Sequence, residues 1–185
     1  MNDIVTALAR AAILAALDQP EDFDLEHALQ TYPALKENGA AFVTINKKPG
    51  EQLRGCIGSL HATRPLYQDI ISNAQAAALH DPRFRPLALE ELSQITLEVS
   101  ILSEPEPVAY DDVEDLKRKI VPFQDGIVLK HHGRQATYLP QVWEQLPHFD
   151  DFFSSLCLKA DLDRACLSEH PEISRYTVKK YKENG

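Results

Sequence analysis

Residues 95–101 alternate strictly between apolar and polar side chains. The apolar set is Ile95, Leu97, Val99 and Ile101, and the polar set between them is Thr96, Glu98 and Ser100. Successive side chains of a β-strand point to opposite faces of the sheet, so this pattern predicts a strand with one face on the core. Pro105 and Pro107 predict where the strand ends, because proline cannot donate to a strand ladder.

Two hairpins are predicted from extended stretches that flank turn residues. In the first, residues 41–46 and 53–58 flank Pro49-Gly50, a dipeptide that favours a turn. In the second, residues 125–140 fold back at Gly133-Arg134. Pairing of this kind is antiparallel, so both hairpins predict antiparallel sheet.

Helical periodicity appears between the predicted strands. The N-terminal segment 1–20 carries an apolar face at Ile4, Ala7, Leu8, Ala11, Ala12 and Ala15. In residues 63–81 the predicted buried stripe is Leu66, Ile70, Ala74, Ala77 and Ala78. Further helices are predicted at 111–120, 140–146 and 149–161, and a final strand at 174–182. The mixture predicts the α+β class with a mostly antiparallel sheet.

Charge and composition exclude several kinds of function. The formal net charge is −9, and basic residues cluster only at 117–119 and 178–182, so nucleic-acid binding is not expected. The N-terminal apolar run is short and interrupted by Arg10, which argues against a secretory signal or a membrane span. The three cysteines include no CxxC pair, so we expect no disulfide framework, plain packing for Cys157, and a reducing, cytoplasmic environment.

The segment "LRGCIG", residues 53–58, is the candidate functional strand. Strict alternation places Leu53, Gly55 and Ile57 on the core face, and Arg54, Cys56 and Gly58 together on the other. Gly58 is then expected to leave space beside Cys56 for backbone or ligand. At ~7 Å and an effective dielectric of ~20, the Arg54 charge favours a Cys56 thiolate by ~2 kcal/mol.

Other observations weaken or complicate this activation of Cys56. A carboxylate that pairs with Arg54 cancels its effect, and Glu98 on the alternating strand is a candidate for that role. A free cysteine is also commonly a small buried hydrophobe. If Arg83 approaches Arg54, however, the two guanidinium groups can hold a carboxylate or a phosphate.

Histidines supply candidate partners for the thiol. Cys56 with His61 or His80 has the composition of a nucleophile–base pair, and the three together have acceptable metal-ligand types. They lie on separate elements, so no metal site is predicted. His131 and His132 are adjacent, and on a strand they face opposite ways, so we expect that they cannot chelate one ion.

Five stretches of the chain together resemble the AMMECR-type domain family, which includes the protein A component of the AmmeMemoRadiSam system. They are "LRGCIGSL", "DPRFRPL", "LEVSIL", "YLPQVW" and "LCLKADL". The resemblance runs from about Ile4 to Tyr181, and the hexapeptide at 53–58 is its most specific part. Outside the hexapeptide, the matching positions are Asp81, Arg83, Phe84, Glu98, Ser100, Leu139, Pro140 and Gln141.

The resemblance implies two β-rich, helix-containing halves that share one mostly antiparallel, barrel-like sheet. We expect one domain, residues 1–185, whose two packed subdomains divide near 105/106. The resemblance also implies a setting with a Memo-type protein and a radical-SAM protein as partners. No cofactor is predicted, and the chain is expected to be a monomer or a homodimer.

Two functions stay open at this point. The first is an accessory or binding module with a pocket for a small anion, or a docking surface, at the hexapeptide strand. Its candidate pocket residues are Arg54, Gly55, Gly58, Arg83, Ser100 and Gln141. The alternative is a thiol-dependent enzyme or enzyme component in which Cys56 is nucleophile or redox thiol, Arg54 its activator, and Glu98 or His61 a proton carrier. The sequence favours the binding module, because it names no strong catalytic partner for Cys56.

Overall fold

The computed structural model describes residues 2–183, with the side chains of residues 4–183, and shows helices and antiparallel strands. The helices are α1 (Asn2–Ala16), α2 (Leu25–Thr31), α3 (Leu66–Leu79), α4 (Val113–Lys119) and α5 (Phe149–Lys159). The strands are β1 (Asn38–Lys47), β2 (Gln52–Gly58), β3 (Arg64–Pro65), β4 (Ile95–Leu102), β5 (Glu106–Pro107), β6 (Gly126–His131), β7 (Arg134–Tyr138), β8 (Glu172–Tyr176) and β9 (Val178–Lys182). Short 3₁₀ helices occupy Pro33–Lys36, Leu89–Gln94, Pro140–Glu144 and Cys166–Glu169. The predicted α+β class is confirmed.

The chain forms two compact units, Met1–Leu102 with Lys179–Gly185, and Ser103–Val178. The predicted final strand is broken at Thr177, so β8 belongs to the second unit while most of β9 belongs to the first. Within the described part of the chain the strands form two sheets and no closed barrel. This differs from the expected single barrel-like sheet. The assignment of the whole chain to one domain stays a prediction.

The first unit is a sheet with helices packed on one face. The sheet has the order β2–β1–β4–β9, with β3 added to the end of β1, and β1 pairs antiparallel with β2, β3 and β4. Helices α1 and α3 pack against each other and against β1, β2 and β4. The predicted stripe of α3 is buried in this core, together with alternate residues of the strands.

The second unit is a smaller antiparallel sheet with its own core. The order of this sheet is β5–β8–β6–β7, and α5 packs on β7. Trp143 and Phe152 stack with ring centroids 3.6 Å apart, and the Trp143 indole donates to the carbonyl of Asp125 at 2.8 Å. Apolar burial by these aromatic rings is the main stabilising contribution of such a small core.

A disulfide joins Cys157 and Cys166 in the second unit, contrary to the predictions of no disulfide and of plain packing for Cys157. Both residues are buried. Helix α5 ends at Lys159, and a turn with Asp161 in the left-handed region reverses the chain, so that the Leu162 amide donates back to the Cys157 carbonyl. The nine-residue spacing alone does not reveal this reversal, because it depends on where the helix ends.

Replacing Cys157 and Cys166 together by alanine is expected to lower the free energy of unfolding by about 3 kcal/mol. The reason is that the disulfide restricts the conformations of the unfolded chain, and the variant loses this restriction. Urea denaturation of the oxidised proteins measures this difference, and reduction of the wild type is expected to have a similar effect. The control is Cys56→Ala, which leaves the disulfide intact. Equal urea midpoints for the wild type and the double variant contradict the structural disulfide.

Candidate functional site

A β-bulge in β2 changes which residues share a face. Ile45 pairs with Gly55, but the next residue, Asn46, pairs with Leu53, so Arg54 is the extra residue of the bulge. An extra residue is left out of the ladder and re-aims its side chain. Strict alternation therefore stops at Arg54, and the predicted grouping of Arg54 with Cys56 on one face is wrong.

The Arg54 side chain is buried and forms a two-pronged ion pair with Glu91. Its Nε and one terminal nitrogen each lie 2.8 Å from a carboxylate oxygen of Glu91. The same terminal nitrogen reaches the Pro86 carbonyl at 3.4 Å. These hydrogen bonds lower the pKa of Glu91 to about 2. Glu91, rather than the expected Glu98, is thus the partner of Arg54, and no periodic pattern in the 3₁₀ segment Leu89–Gln94 signals this role.

Asp81 and Arg83 bind the backbone of Cys56. The Cys56 amide donates to Asp81 Oδ2 at 2.8 Å, and Arg83 donates to the Cys56 carbonyl at 3.2 Å. Arg83 also forms hydrogen bonds of 2.9 and 2.7 Å to the two oxygens of Asp81, which hold the pKa of that buried carboxyl well below its usual range. Since β2 lies at the edge of its sheet, this pair satisfies backbone groups that a further strand would otherwise bind.

Arg54 and Arg83 both approach the ring of Phe84. Their guanidinium carbons lie 5.8 and 5.5 Å from the centre of the Phe84 ring. Each guanidinium group is already paired with its own carboxylate, Glu91 for Arg54 and Asp81 for Arg83. The structure therefore shows two ion pairs around an aromatic ring, and an anion site formed by both arginines stays a prediction.

The two glycines of the hexapeptide permit close packing of protein against protein. A Cβ on Gly55 would lie 2.3 Å from the carbonyl oxygen of Ala77, so this glycine lets α3 approach β2. A Cβ on Gly58 would lie 2.2 Å from the ring of Phe42. The space that we expected Gly58 to leave for a ligand is filled by this ring.

Cys56 lies on the sheet face opposite α3, in a row of polar residues. Its register partner is Thr44, and the partner of Thr44 on the next strand is Glu98. The Thr44 hydroxyl donates to the Cys56 sulfur at 3.3 Å, and the thiol is free and half-buried. Glu98 lies two strands away from Cys56, about 10 Å between backbones. The sequence analysis did not single out Thr44, because its position beside Cys56 depends on the register of the strands.

Glu98 interacts with lysines of β9 and with its own strand. Its carboxylate oxygens lie 3.7 Å from the ammonium groups of Lys180 and Lys182. Ser100, another predicted pocket residue, lies two residues along the same strand and its hydroxyl contacts Glu98 at 3.4 Å. Ser100 shares a cross-strand row with Phe42 and Gly58. The row that contains Cys56 thus ends in a carboxylate balanced by two lysines.

The remaining predicted residues, His61, His80 and Gln141, are all exposed. His61 is exposed in the loop after β2, and among residues 2–183 it forms no hydrogen bond with Cys56. His80 is exposed at the end of α3. Gln141 is exposed in a 3₁₀ helix of the second unit.

A buried carboxylate that the sequence did not single out fixes the loop after β2. Asp69 of α3 accepts hydrogen bonds from the Ala41 amide, the Ser59 hydroxyl and the Arg64 guanidinium group. Asn73 donates to the same carboxylate at 3.0 Å. Asp69 thereby joins β1, the end of β2 and α3. A polar residue inside an apolar helical stripe is the signal that could have revealed it.

His131 and His132 do not face opposite ways, contrary to the sequence-based prediction. Strand β6 ends at His131, and His132 has a φ of 48° in the turn before β7. The left-handed turn residue leaves the strand alternation, and the two imidazole centroids lie 3.9 Å apart. The prediction that the two histidines cannot bind the same ion rested on opposite orientations, which the structure does not have.

These features define a two-unit α+β protein whose first unit carries a cysteine on an anchored edge strand. The AMMECR1 family model matches residues 6–181, almost the whole chain. The chain therefore belongs to the AMMECR1 family, which confirms the resemblance seen in the sequence.

Relatives with known sequences and structures support the assignment. A protein of Thermofilum pendens is 36% identical over 172 residues, which span 86% of this chain and 78% of that protein. A protein of Saccharolobus islandicus is 38% identical over 171 residues, which span 84% and 72% of the two chains. The crystal structure of an uncharacterised protein from Pyrococcus horikoshii is similar with a TM-score of 0.79 and 32% identity, covering 99% of this chain and 91% of that chain. In the part of this chain that the structure describes, no helix has the length and apolarity needed to cross a membrane.

The ion pair between Arg54 and Glu91 is expected to make stability depend on acidity. The pKa of Glu91, about 2 in the folded protein, is below its ordinary 4.5, so the pair stabilises the fold above about pH 4.5 and this contribution disappears as the pH falls towards 2. Glu91→Gln is expected to cost about 2 kcal/mol at pH 7 and much less at pH 2.

Urea unfolding of the wild type and of Glu91→Gln at several pH values between 2 and 7 measures the difference. The matched control is Glu90→Gln, which changes an exposed neighbour in the same 3₁₀ helix. A constant difference between the wild type and Glu91→Gln across this range contradicts the role of the pair.

Proposed function

We propose that this chain is an accessory binding module of the AMMECR1 family, of the AmmeMemoRadiSam protein A type. Its binding surface is the Cys56 face, which we define as Cys56, Thr44, Glu98 and Phe42 on the first sheet. Ser100 lies in the same set of cross-strand positions but is buried. The observation that carries the proposal is that the residues of the hexapeptide differ in what their side chains contact. Arg54, Gly55 and Gly58 have structural contacts that account for them, whereas the Cys56 side chain stands on the opposite face from α3.

The anchoring of β2 supports a binding role. Asp81 and Arg83 hold the Cys56 backbone, and the ion pair of Arg54 with Glu91 holds the adjoining bulge. A rigid strand presents its side chains in a fixed geometry, which reduces the entropy lost when a partner binds. The rigid backbone therefore suits recognition as well as chemistry.

The occupant that we propose for the Cys56 face is a protein partner, either a Memo-type or a radical-SAM protein. We propose that the two proteins bind each other in the cytoplasm and that this chain is a monomer or a homodimer. The polar row on the face supports this choice, because the carboxylate of Glu98 and its two lysines offer paired charges for a polar interface. A small anion is a weaker occupant, since Arg54 and Arg83 already have carboxylate partners.

A second candidate function is favoured by one further observation, the state of the cysteines. Cys157 and Cys166 are joined to each other, whereas Cys56 is a free thiol that accepts a hydrogen bond from Thr44. In this alternative Cys56 is a nucleophile or a redox thiol and Glu98, on the same face, is a proton carrier. The activating role first given to Arg54 has no place in it, because the bulge carries Arg54 away.

The Thr44→Lys variant tests the binding module, because a long charged side chain in the centre of the Cys56 face obstructs a partner. We expect isothermal titration calorimetry with purified Memo-type and radical-SAM proteins to show wild-type binding to at least one of them, weakened at least ~10-fold by Thr44→Lys. Thr31→Lys, the same change at an exposed position of α2, is expected to bind like the wild type.

Circular dichroism of both variants checks that the fold is retained. Equal binding by the wild type and by Thr44→Lys contradicts the proposed face. Absence of binding to either protein contradicts the proposed partners, and binding of phosphate or citrate alone would assign the face to a small anion.

The thiol alternative predicts fast alkylation of the native wild type by iodoacetamide, with a rate that levels off near or below pH 7. Mass spectrometry of digests taken between pH 5 and 10 locates the label, and Cys56→Ala is the control for modification elsewhere. Labelling that stays slow until the protein is denatured contradicts a catalytic thiol and means that Cys56 belongs to the core, with its strand as structural support for a binding surface.

A further inference from the structure

A cluster of three potential metal ligands lies in the second unit, in His131, His132 and Glu169. Their ligand atoms all lie within 4.8 Å of one another. His131 is the last residue of β6, His132 begins the turn, and Glu169 ends the 3₁₀ helix Cys166–Glu169. The cluster is therefore built by two elements that are far apart in sequence, a hairpin and a helix end.

The turn explains how two adjacent histidines reach one place. His132 and Gly133 have φ values of 48° and 76°, and a two-residue hairpin turn of the I′ type requires positive φ at both central residues. A residue other than glycine seldom adopts this conformation. Here the left-handed His132 brings its ring beside that of His131, with an interplanar angle of 52°.

Glu169 completes the group from the other side. Its Oε2 lies 3.0 Å from Nε2 of His131 and 3.6 Å from Nε2 of His132. The helix that ends at Glu169 begins at Cys166, which the disulfide ties to α5. One end of the cluster is thus fixed to the core of the unit.

The two separations between Glu169 and the histidines are close to those of a tetrahedral zinc site. Zinc binds imidazole nitrogen and carboxylate oxygen at about 2.0–2.2 Å, so neighbouring ligand atoms of a tetrahedral site lie about 3.3 Å apart. The two distances from Glu169 bracket this value. Two imidazoles and one carboxylate also form a known donor set for zinc with a fourth position left for water.

We propose that His131, His132 and Glu169 bind a zinc-class divalent cation, with the fourth position open to water. His131 and His132 line a surface cleft of about 420 Å³, which leaves room for a fourth ligand on the side of the two histidines. Two cationic side chains, Lys130 and Arg134, also line this cleft, and Arg134 is paired with Asp161 at 2.8 Å.

The experiment uses the oxidised chain of residues 1–185, freed of metal with a chelator and then titrated with Co²⁺ and Zn²⁺. Tetrahedral Co²⁺ has a visible absorption spectrum, and a chromogenic indicator reports Zn²⁺ affinity by competition. The ligand variants are His132→Asn, which keeps a residue that tolerates positive φ, and Glu169→Gln, which keeps the shape. His148→Asn changes an exposed histidine at the start of α5 and is the matched control.

We expect the wild type and His148→Asn to bind one Zn²⁺ per chain and to give the tetrahedral Co²⁺ spectrum. Losing a group that merely orients a metal ligand costs ~10–100-fold in affinity, so each ligand variant is expected to bind Zn²⁺ at least ~100-fold more weakly. Zn²⁺ is also expected to raise the Tm of the wild type and not that of the ligand variants. Wild-type affinity in His132→Asn or Glu169→Gln, or no binding by the wild type at ~1 mM Zn²⁺, overturns the proposal.

Discussion

The buried carboxylate of Asp81 holds in place β2, the edge strand that carries Cys56. It accepts one hydrogen bond from the Cys56 amide and two from the guanidinium group of Arg83. The same guanidinium group donates to the Cys56 carbonyl. An edge strand without such a partner exposes its backbone groups and tends to pair with other chains. Because Asp81 follows α3 directly, the same contact couples the end of that helix to β2. The position of the Cys56 thiol depends on this anchor.

The bulge at Arg54 is the second constraint, and it separates charge from thiol. A regular strand would place Arg54 and Cys56 on the same face of the sheet. Because Arg54 is the extra residue of the bulge, its guanidinium group instead pairs with Glu91 in the 3₁₀ helix that follows α3. A buried ion pair with two hydrogen bonds orders the segment that carries Glu91. The arginine of the hexapeptide is therefore explained by the fold, and the function of the strand rests on Cys56 and its neighbours across the sheet.

Much of the fold was predictable because it is written in local periodicity. Alternation predicted β4, the turn dipeptide Pro49-Gly50 between extended stretches predicted the first hairpin, and a helical repeat predicted the buried stripe of α3. In α1 the predicted face was displaced by one residue, since Val5, Leu8, Ala9, Ala12 and Ile13 are the buried residues. An alanine-rich helix has a weak apolar contrast, so the surface against which it packs decides the face. The resemblance of five sequence stretches to the AMMECR-type family predicted the family correctly and identified residues 53–58 as its most specific part.

The sequence by itself determined the strand and helix pattern, the family and the strand that carries the free thiol, because these depend on side chains close together in the chain. Only the tertiary structure decided which groups meet. The bulge that pairs Arg54 with Glu91, the register that sets Thr44 beside Cys56 and the chain reversal that joins Cys157 to Cys166 all involve contacts between separate elements. Such contacts follow from packing and from the satisfaction of buried polar groups, which no local spacing encodes.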